Sequence, residues 1–180
     1  MRVYVVYGSH SVSTARIARS IASAVNWSNE YEAHPAGEVD PREIEGPGVV
    51  FVGSPFGGSE LDRSIRAFLD RIADRTMYAV YWEAFETRTQ PVPCVAGSAV
   101  RRLRRAIEHR GGRLLLPPES FYVGPDENAM PRSEVDRARL WSSSVIATAV
   151  KESHDPEVRA GVFSAVSARP VLASWCGAVS

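Results

Sequence analysis

Lysine is almost absent from this chain: Lys151 is the only one among 21 basic residues, and 21 acidic residues balance them to zero net charge. A neutral chain gives no electrostatic reason to expect nucleic acid or an anionic membrane as a partner. The preference for arginine carries no functional reading. Cysteine is scarce as well. Cys94 and Cys176 lie far apart and outside any CxxC or Cys/His spacing, so neither a metal site nor a disulfide framework is expected, and a reducing cytoplasm suits the chain. Long apolar runs are missing. None approaches the roughly 20 residues of a membrane-spanning helix, and no apolar leader precedes the first strand at Arg2, so export and anchoring are not expected. His34, His109 and His154 stand apart from Cys or Asp partners in any recognisable motif, so no catalytic residue is predicted.

What is present is a chain of 180 residues, 44% of them hydrophobic, enough to bury one core. Its start is its most informative part. The run Val3-Tyr4-Val5-Val6-Tyr7 leads into Gly8-Ser9-His10-Ser11-Val12-Ser13-Thr14 and then into a helical pattern over 15–25. A buried strand that ends in a hydroxyl-rich loop opening a helix offers an anion unpaired N–H groups and the positive end of the helix dipole. Ser9, Ser11, Ser13 and Thr14 add hydroxyl donors, and no lysine or arginine interrupts them, so the loop suits a phosphate held by hydrogen bonds. Simple N-capping by Ser13 or Thr14 is the competing explanation. His10 either donates to the same anion or faces solvent, and solvent is the preferred reading.

The remaining pattern alternates strands with helices. Residues 31–34 suit a short second strand, and Asp40-Pro41-Arg42-Glu43-Ile44 a brief helical turn with Pro near its start. The run Val49-Val50-Phe51-Val52-Gly53 suits a central strand covered on both faces. A helix opening at Ser59 or Glu60 follows, its apolar residues Leu61, Ile65, Phe68, Leu69 and Ile72 at helical spacing. A strand is predicted over 77–82, a loop over 83–93, and a helix over 99–109 closed by Gly111-Gly112. Pro117-Pro118 interrupts a last strand, and a long helix spans 133–150. Strands joined through helices imply a parallel sheet covered on both faces, with ligands at the carboxyl ends of the strands. Three loops there have unusual composition: 8–14, 53–60 and 83–88. The second, Gly53-Ser54-Pro55-Phe56-Gly57-Gly58-Ser59-Glu60, offers the flat face of Phe56 and two flexible glycines. An ordinary turn with a surface Phe is the alternative.

These residues resemble the flavodoxin-like family of FMN-binding domains. The family's first loop, [ST]-x-[ST]-G-x-[ST], is matched at every hydroxyl position by Ser9-His10-Ser11-Val12-Ser13-Thr14. Its second, G-[ST]-P-x-x-G-x-x-E, is similar to Gly53-Ser54-Pro55-Phe56 with Gly58 and the nearby Glu60. Ala84-Phe85-Glu86-Thr87-Arg88, the helix from Gly97, Pro117-Pro118-Glu119-Ser120-Phe121 and the stretch 134–141 resemble a prokaryotic subgroup of single-domain flavodoxin-like proteins. The match runs from residue 2 to about 150. It implies a three-layer α/β sandwich whose five-stranded parallel sheet has the order 2-1-3-4-5. Val12 stands where the family has glycine. If the backbone there needs positive φ, FMN binding weakens or fails; if Val12 is helical or extended, its side chain points outward at little cost.

The resemblance implies FMN as cofactor. Ser9, His10, Ser11, Val12, Ser13 and Thr14 would form the phosphate loop. Ser54, Pro55, Phe56, Gly57 and Gly58 would cover one side of the flavin ring, and Ala84, Phe85, Glu86, Thr87 and Arg88 would approach its other edge. Redox chemistry would then belong to the flavin. Arg88 is the cation suited to an anionic reduced ring, with Glu86 opposing it, and a salt bridge of Arg88 with a carboxylate is the competing reading. The function implied is electron transfer or a small flavin-dependent oxidoreductase, served by a redox partner protein or a nicotinamide-linked reductase. The alternative is a flavodoxin-fold module that has lost FMN and serves in phosphate-ligand binding or protein association. Dedicated carriers of the family tend to be acidic, and this chain is neutral. Beyond the domain over 1–150, the extension 151–180 has a helical pattern over 155–166 and an apolar segment over 171–176. It packs on its own domain, the preferred reading, or covers the mate of a homodimer.

Overall fold

The computed structural model describes residues 1–8, 11–25, 33–56, 60–89, 98–124 and 130–154. The expected helix over 155–166 and the apolar segment over 171–176 lie outside them. Among the described residues no helix is long and apolar enough to cross a membrane.

Strand β1 (Arg2–Tyr7) leads to helix α1 (Val12–Val25), a short β2 (Ala33–Pro35) and a 3-10 turn at Pro41–Glu43. Strand β3 (Gly48–Pro55) is followed by α2 (Arg63–Arg71), α3 (Asp74–Ala79) and β4 (Val80–Arg88). Then come α4 (Ala99–His109), β5 (Arg113–Leu114), β6 (Glu119–Tyr122) and α5 (Arg132–His154). All pairings are parallel, in the order β2-β1-β3-β4-β5, with β6 continuing beside β4. β5 and β6 are the two halves of the fifth strand, so the expected doubly covered sheet of order 2-1-3-4-5 is the observed one.

Alternation along the strands divides the core in two. Val3, Val5, Phe51, Phe85 and Phe121 face α1 and α5, while Val6, Val50, Val52, Trp82 and Ala84 face α2, α3 and α4. On the first side Trp141 of α5 meets Phe51, Phe85 and Phe121 edge to face, with centroids 5.5, 6.4 and 6.0 Å away. On the second, Trp82 is fully buried and donates its indole N–H to the Met77 carbonyl at 3.1 Å.

Two boundaries differ from expectation. The helix after β3 begins at Arg63, because the Asp62 side chain accepts the N–H groups of Ser64 and Ile65 at 2.9 and 3.3 Å and so caps it. The stretch 77–82 is not one strand: Met77 to Ala79 close α3, and the strand runs over Val80–Arg88, through the residues expected to form a loop. Glu83 and Glu86 read as loop residues in sequence. In the fold both are fully buried and their carboxylates accept hydrogen bonds, which makes a strand position tenable.

The prolines break the fifth strand as expected. β5 pairs with Tyr81 and Trp82 and β6 with Phe85 to Arg88, so the residues between have no ladder partner. The Glu83 carboxylate fills that gap, accepting the N–H groups of Leu115 at 2.9 Å and Leu116 at 3.1 Å. Gly111 closes α4 at φ 84°, a conformation that favours glycine, and a Cβ there would fall 2.2 Å from the Tyr78 ring.

Candidate functional site

The carboxyl ends of β1, β3, β4 and β6 are joined by three backbone hydrogen bonds. Gly8 N–H reaches the Gly53 carbonyl at 2.9 Å, Phe56 N–H the Thr87 carbonyl at 2.8 Å, and Val123 N–H the Arg88 carbonyl at 2.8 Å. Gly8 permits a close approach. A Cβ on it would lie 3.0 Å from the Asp62 carboxyl carbon and 3.1 Å from the Pro55 ring, so a side chain would separate the two loops.

Helix α1 opens at this edge. Ser11 caps it, its hydroxyl accepting Thr14 N–H at 3.2 Å and its carbonyl Ala15 N–H at 3.0 Å. The N–H groups of Val12 and Ser13 have no acceptor within the helix, and they lie at its positive end. Val12 is therefore the first helical residue, and its side chain is 52% exposed. Of the two outcomes open for Val12, the helical one holds: no positive φ is needed here, and the side chain points to solvent. Ser13 is buried beside it, while Thr14 is fully buried and shares a 2.6 Å hydrogen bond with the Thr87 hydroxyl. That bond ties α1 to the end of β4.

Two rows of side chains cross the sheet on the α2/α4 side. Ser54, Glu86 and Ser120 are level across β3, β4 and β6. Phe56, Arg88 and Tyr122 form the next row toward the edge. Ser54 is fully buried and donates to the Pro55 carbonyl at 3.2 Å. Glu86 pairs with Arg88, accepts Ser120 Oγ at 2.8 Å and Val100 N–H at 2.9 Å, and takes Ser98 Oγ at 3.1 Å on either oxygen. The Arg88 guanidinium lies 5.0 Å from the centre of the Phe56 ring. Phe56 is 42% exposed and Tyr122 37%, so two aromatic faces open at this edge with a paired cation between them.

The structure thus brings together Ser11, Val12, Ser13, Thr14, Ser54, Pro55, Phe56, Thr87 and Arg88. Ser9, His10, Gly57 and Gly58 lie outside the described residues. The third expected loop needs correcting. Ala84, Phe85, Glu86, Thr87 and Arg88 are buried residues of β4, and Ala84 and Phe85 fill the two cores. Phe85 packs so closely on Gly53 that a Cβ there would sit 2.1 Å from its ring. Sequence reading missed Tyr122, Ser120, Ser98 and Asp62. Ser98, immediately before α4, and the alternation of Ser120 and Tyr122 around apolar Phe121 were the available signals. Among the described residues no three or more His, Cys, Asp or Glu side chains gather to hold a metal ion.

An FMN-like ligand fits these features: helix-end N–H groups with two serines for a phosphate, and an exposed aromatic face one strand away for a planar ring. The Asp62 carboxylate beside Gly8 is committed to capping α2 and its negative charge opposes an anion, so a phosphate would be held by hydrogen bonds against that charge.

No protein-family model matches the chain, and no curated protein matches its sequence. Solved structures do match its fold. Oxidised flavodoxin 1 from Bacillus cereus aligns with a TM-score of 0.60 at 18% identity, over 84% of this chain and 98% of its own. A flavodoxin from the domain Archaea aligns at 0.66 with 17% identity, over 83% and 99%. Rubredoxin oxygen:oxidoreductase from Desulfovibrio gigas aligns at 0.67 with 16% identity, over 83% of this chain and 36% of that one. The chain has the flavodoxin-like fold.

Proposed function

We propose that the chain binds FMN at the carboxyl edge of its sheet and acts in electron transfer or as a small flavin-dependent oxidoreductase. The observation that carries this reading is a shared edge: α1 opens with Ser11 and Ser13 after β1, and the neighbouring parallel strand β3 ends in the exposed Phe56 at the same carboxyl edge. Solved structures with this fold, flavodoxins among them, add support.

The N–H groups of Val12 and Ser13 and the two serine hydroxyls would hold the phosphate. Phe56 would cover one side of the ring and exclude water from it. The Thr14–Thr87 bond would keep α1 and β4 in register beneath the ligand. Bound FMN would supply the redox chemistry at its ring, so no side chain need act as acid, base or nucleophile. A redox partner protein or a nicotinamide-linked reductase would deliver the electrons.

Titrating the purified protein with FMN and following the visible flavin band tests the reading, with Val12→Gly alongside. Saturable binding with a perturbed band in the wild type is expected, and Val12→Gly changes affinity little because Val12 is already helical. No binding to the wild type with recovery in Val12→Gly would favour the alternative, a fold that has given up FMN and serves another phosphate ligand or association.

A further inference from the structure

Glu86 is fully buried one row beneath the exposed aromatics. Its partners come from three elements: Arg88 on β4, Ser98 and Val100 N–H at the start of α4, and Ser120 on β6. Ser98 makes no side-chain cap bond to the helix it precedes. The Glu86 carboxylate accepts the Val100 N–H instead, at the positive end of α4, where negative charge is favoured. A carboxylate held from so many sides cannot turn, and it holds the Arg88 guanidinium in turn. Arg88, 8% exposed, packs against the inner side of Phe56. Serine, main chain, carboxylate, guanidinium and aromatic ring therefore form one continuous support. It ends at the ring that opens to solvent.

The same chain of contacts fixes the charge of the edge. Arg88 alone would place a poorly solvated cation within reach of anything stacked on Phe56, and such a cation favours a negatively charged partner. Paired with Glu86 it presents no net charge. We infer that Glu86 is a positioning residue that holds Arg88 under Phe56 and cancels its charge, so that the site receives an uncharged planar ring and gives no help to one carrying negative charge. This deepens the FMN reading and rests on it.

The test uses the full chain and the variants Glu86→Gln, Arg88→Gln and the double variant. Glutamine removes the charge and keeps one acceptor oxygen for the Val100 N–H and the Ser98 hydroxyl, while its amide N–H can donate to the Ser120 hydroxyl. Without ligand, NMR of the Arg88 guanidinium N–H groups reads the holding role: separate, slowly exchanging signals are expected in the wild type and averaged ones in Glu86→Gln. Averaged signals in the wild type would overturn it. With FMN, the affinity for the chemically reduced ring relative to the oxidised ring reads the charge. Glu86→Gln should raise that ratio by about tenfold or more, equivalent to about 30 mV for a two-electron couple. Arg88→Gln, which leaves Glu86 on its other partners and serves if Glu86→Gln does not fold, should lower the ratio by a similar factor. The double variant should return it to the wild-type value. Unchanged ratios with binding intact overturn the role of Glu86 alone, whereas a wild type that binds no FMN overturns the site reading and the charge role with it.

Discussion

Glu83 and Glu86 stand three residues apart on β4, both fully buried, and the two faces of the sheet treat them differently. Glu83, on the α1/α5 side, has the N–H groups of Leu115 and Leu116 on one oxygen, and its other oxygen has no hydrogen-bond partner among the described residues. Burial pushes its carboxyl up to about 7, against the pull of the two N–H bonds. Glu86, on the α2/α4 side, has a guanidinium, two hydroxyls and an N–H. The lesson is that burial does not decide what a carboxylate does: the supply of donors does. Where donors are few the acid patches a broken strand, and where they are many it organises the edge at which a ligand would sit.

The largest break in this comparison is expected from Glu86→Ala. It would remove the carboxylate that pairs with the buried Arg88 and accepts the Val100 N–H, and it should cost about 3–5 kcal/mol of stability in chemical denaturation. Glu83 should show itself through pH. Its folded-state pKa is raised above the unfolded value, so its stabilising contribution is full below about pH 4.5 and is lost as pH rises through about 7. The total swing should be on the order of 3 kcal/mol, measured as denaturation midpoints from pH 5 to 8. Glu83→Gln, which keeps an acceptor for Leu115 and Leu116, should flatten the profile; an equally steep profile in that variant would move the titration to another group.

Most of the fold could be read from the chain because it rests on patterns that burial imposes. Valine-rich runs marked β1 and β3, helical spacing marked α2, Gly111-Gly112 marked the end of α4, and Pro117-Pro118 marked the broken fifth strand. The carboxyl half of β4 could not be read. Two glutamates in five residues look like solvent-facing loop, and only the donors that reach them from Leu115, Leu116, Val100 and Ser120, distant in sequence, make them interior. Tyr122 escaped for a related reason: its place beside Arg88 depends on how β6 registers with β4 beyond the prolines, which local pattern does not fix. The first loop was legible in composition, but whether Val12 fits it turned on backbone conformation. Its position at the start of α1 answered that.

Smaller effects would sharpen the contrast between support and site. Thr87→Val removes the partner of the buried Thr14 hydroxyl and should cost about 1–3 kcal/mol, detected as a lower denaturation midpoint at every pH. Val12→Gly, at an exposed position in the first turn of α1, should cost less than about 1 kcal/mol; a larger loss would mean that the Val12 side chain packs on something beyond the described residues.

The most direct test of the central claim, a phosphate at the opening of α1 and a ring on Phe56, is a comparison of FMN with riboflavin, which keeps the ring and lacks the phosphate. Several hydrogen bonds to a charged group predict that FMN binds at least about a hundredfold more tightly. Equal affinity for the two, or binding of neither, would contradict the account.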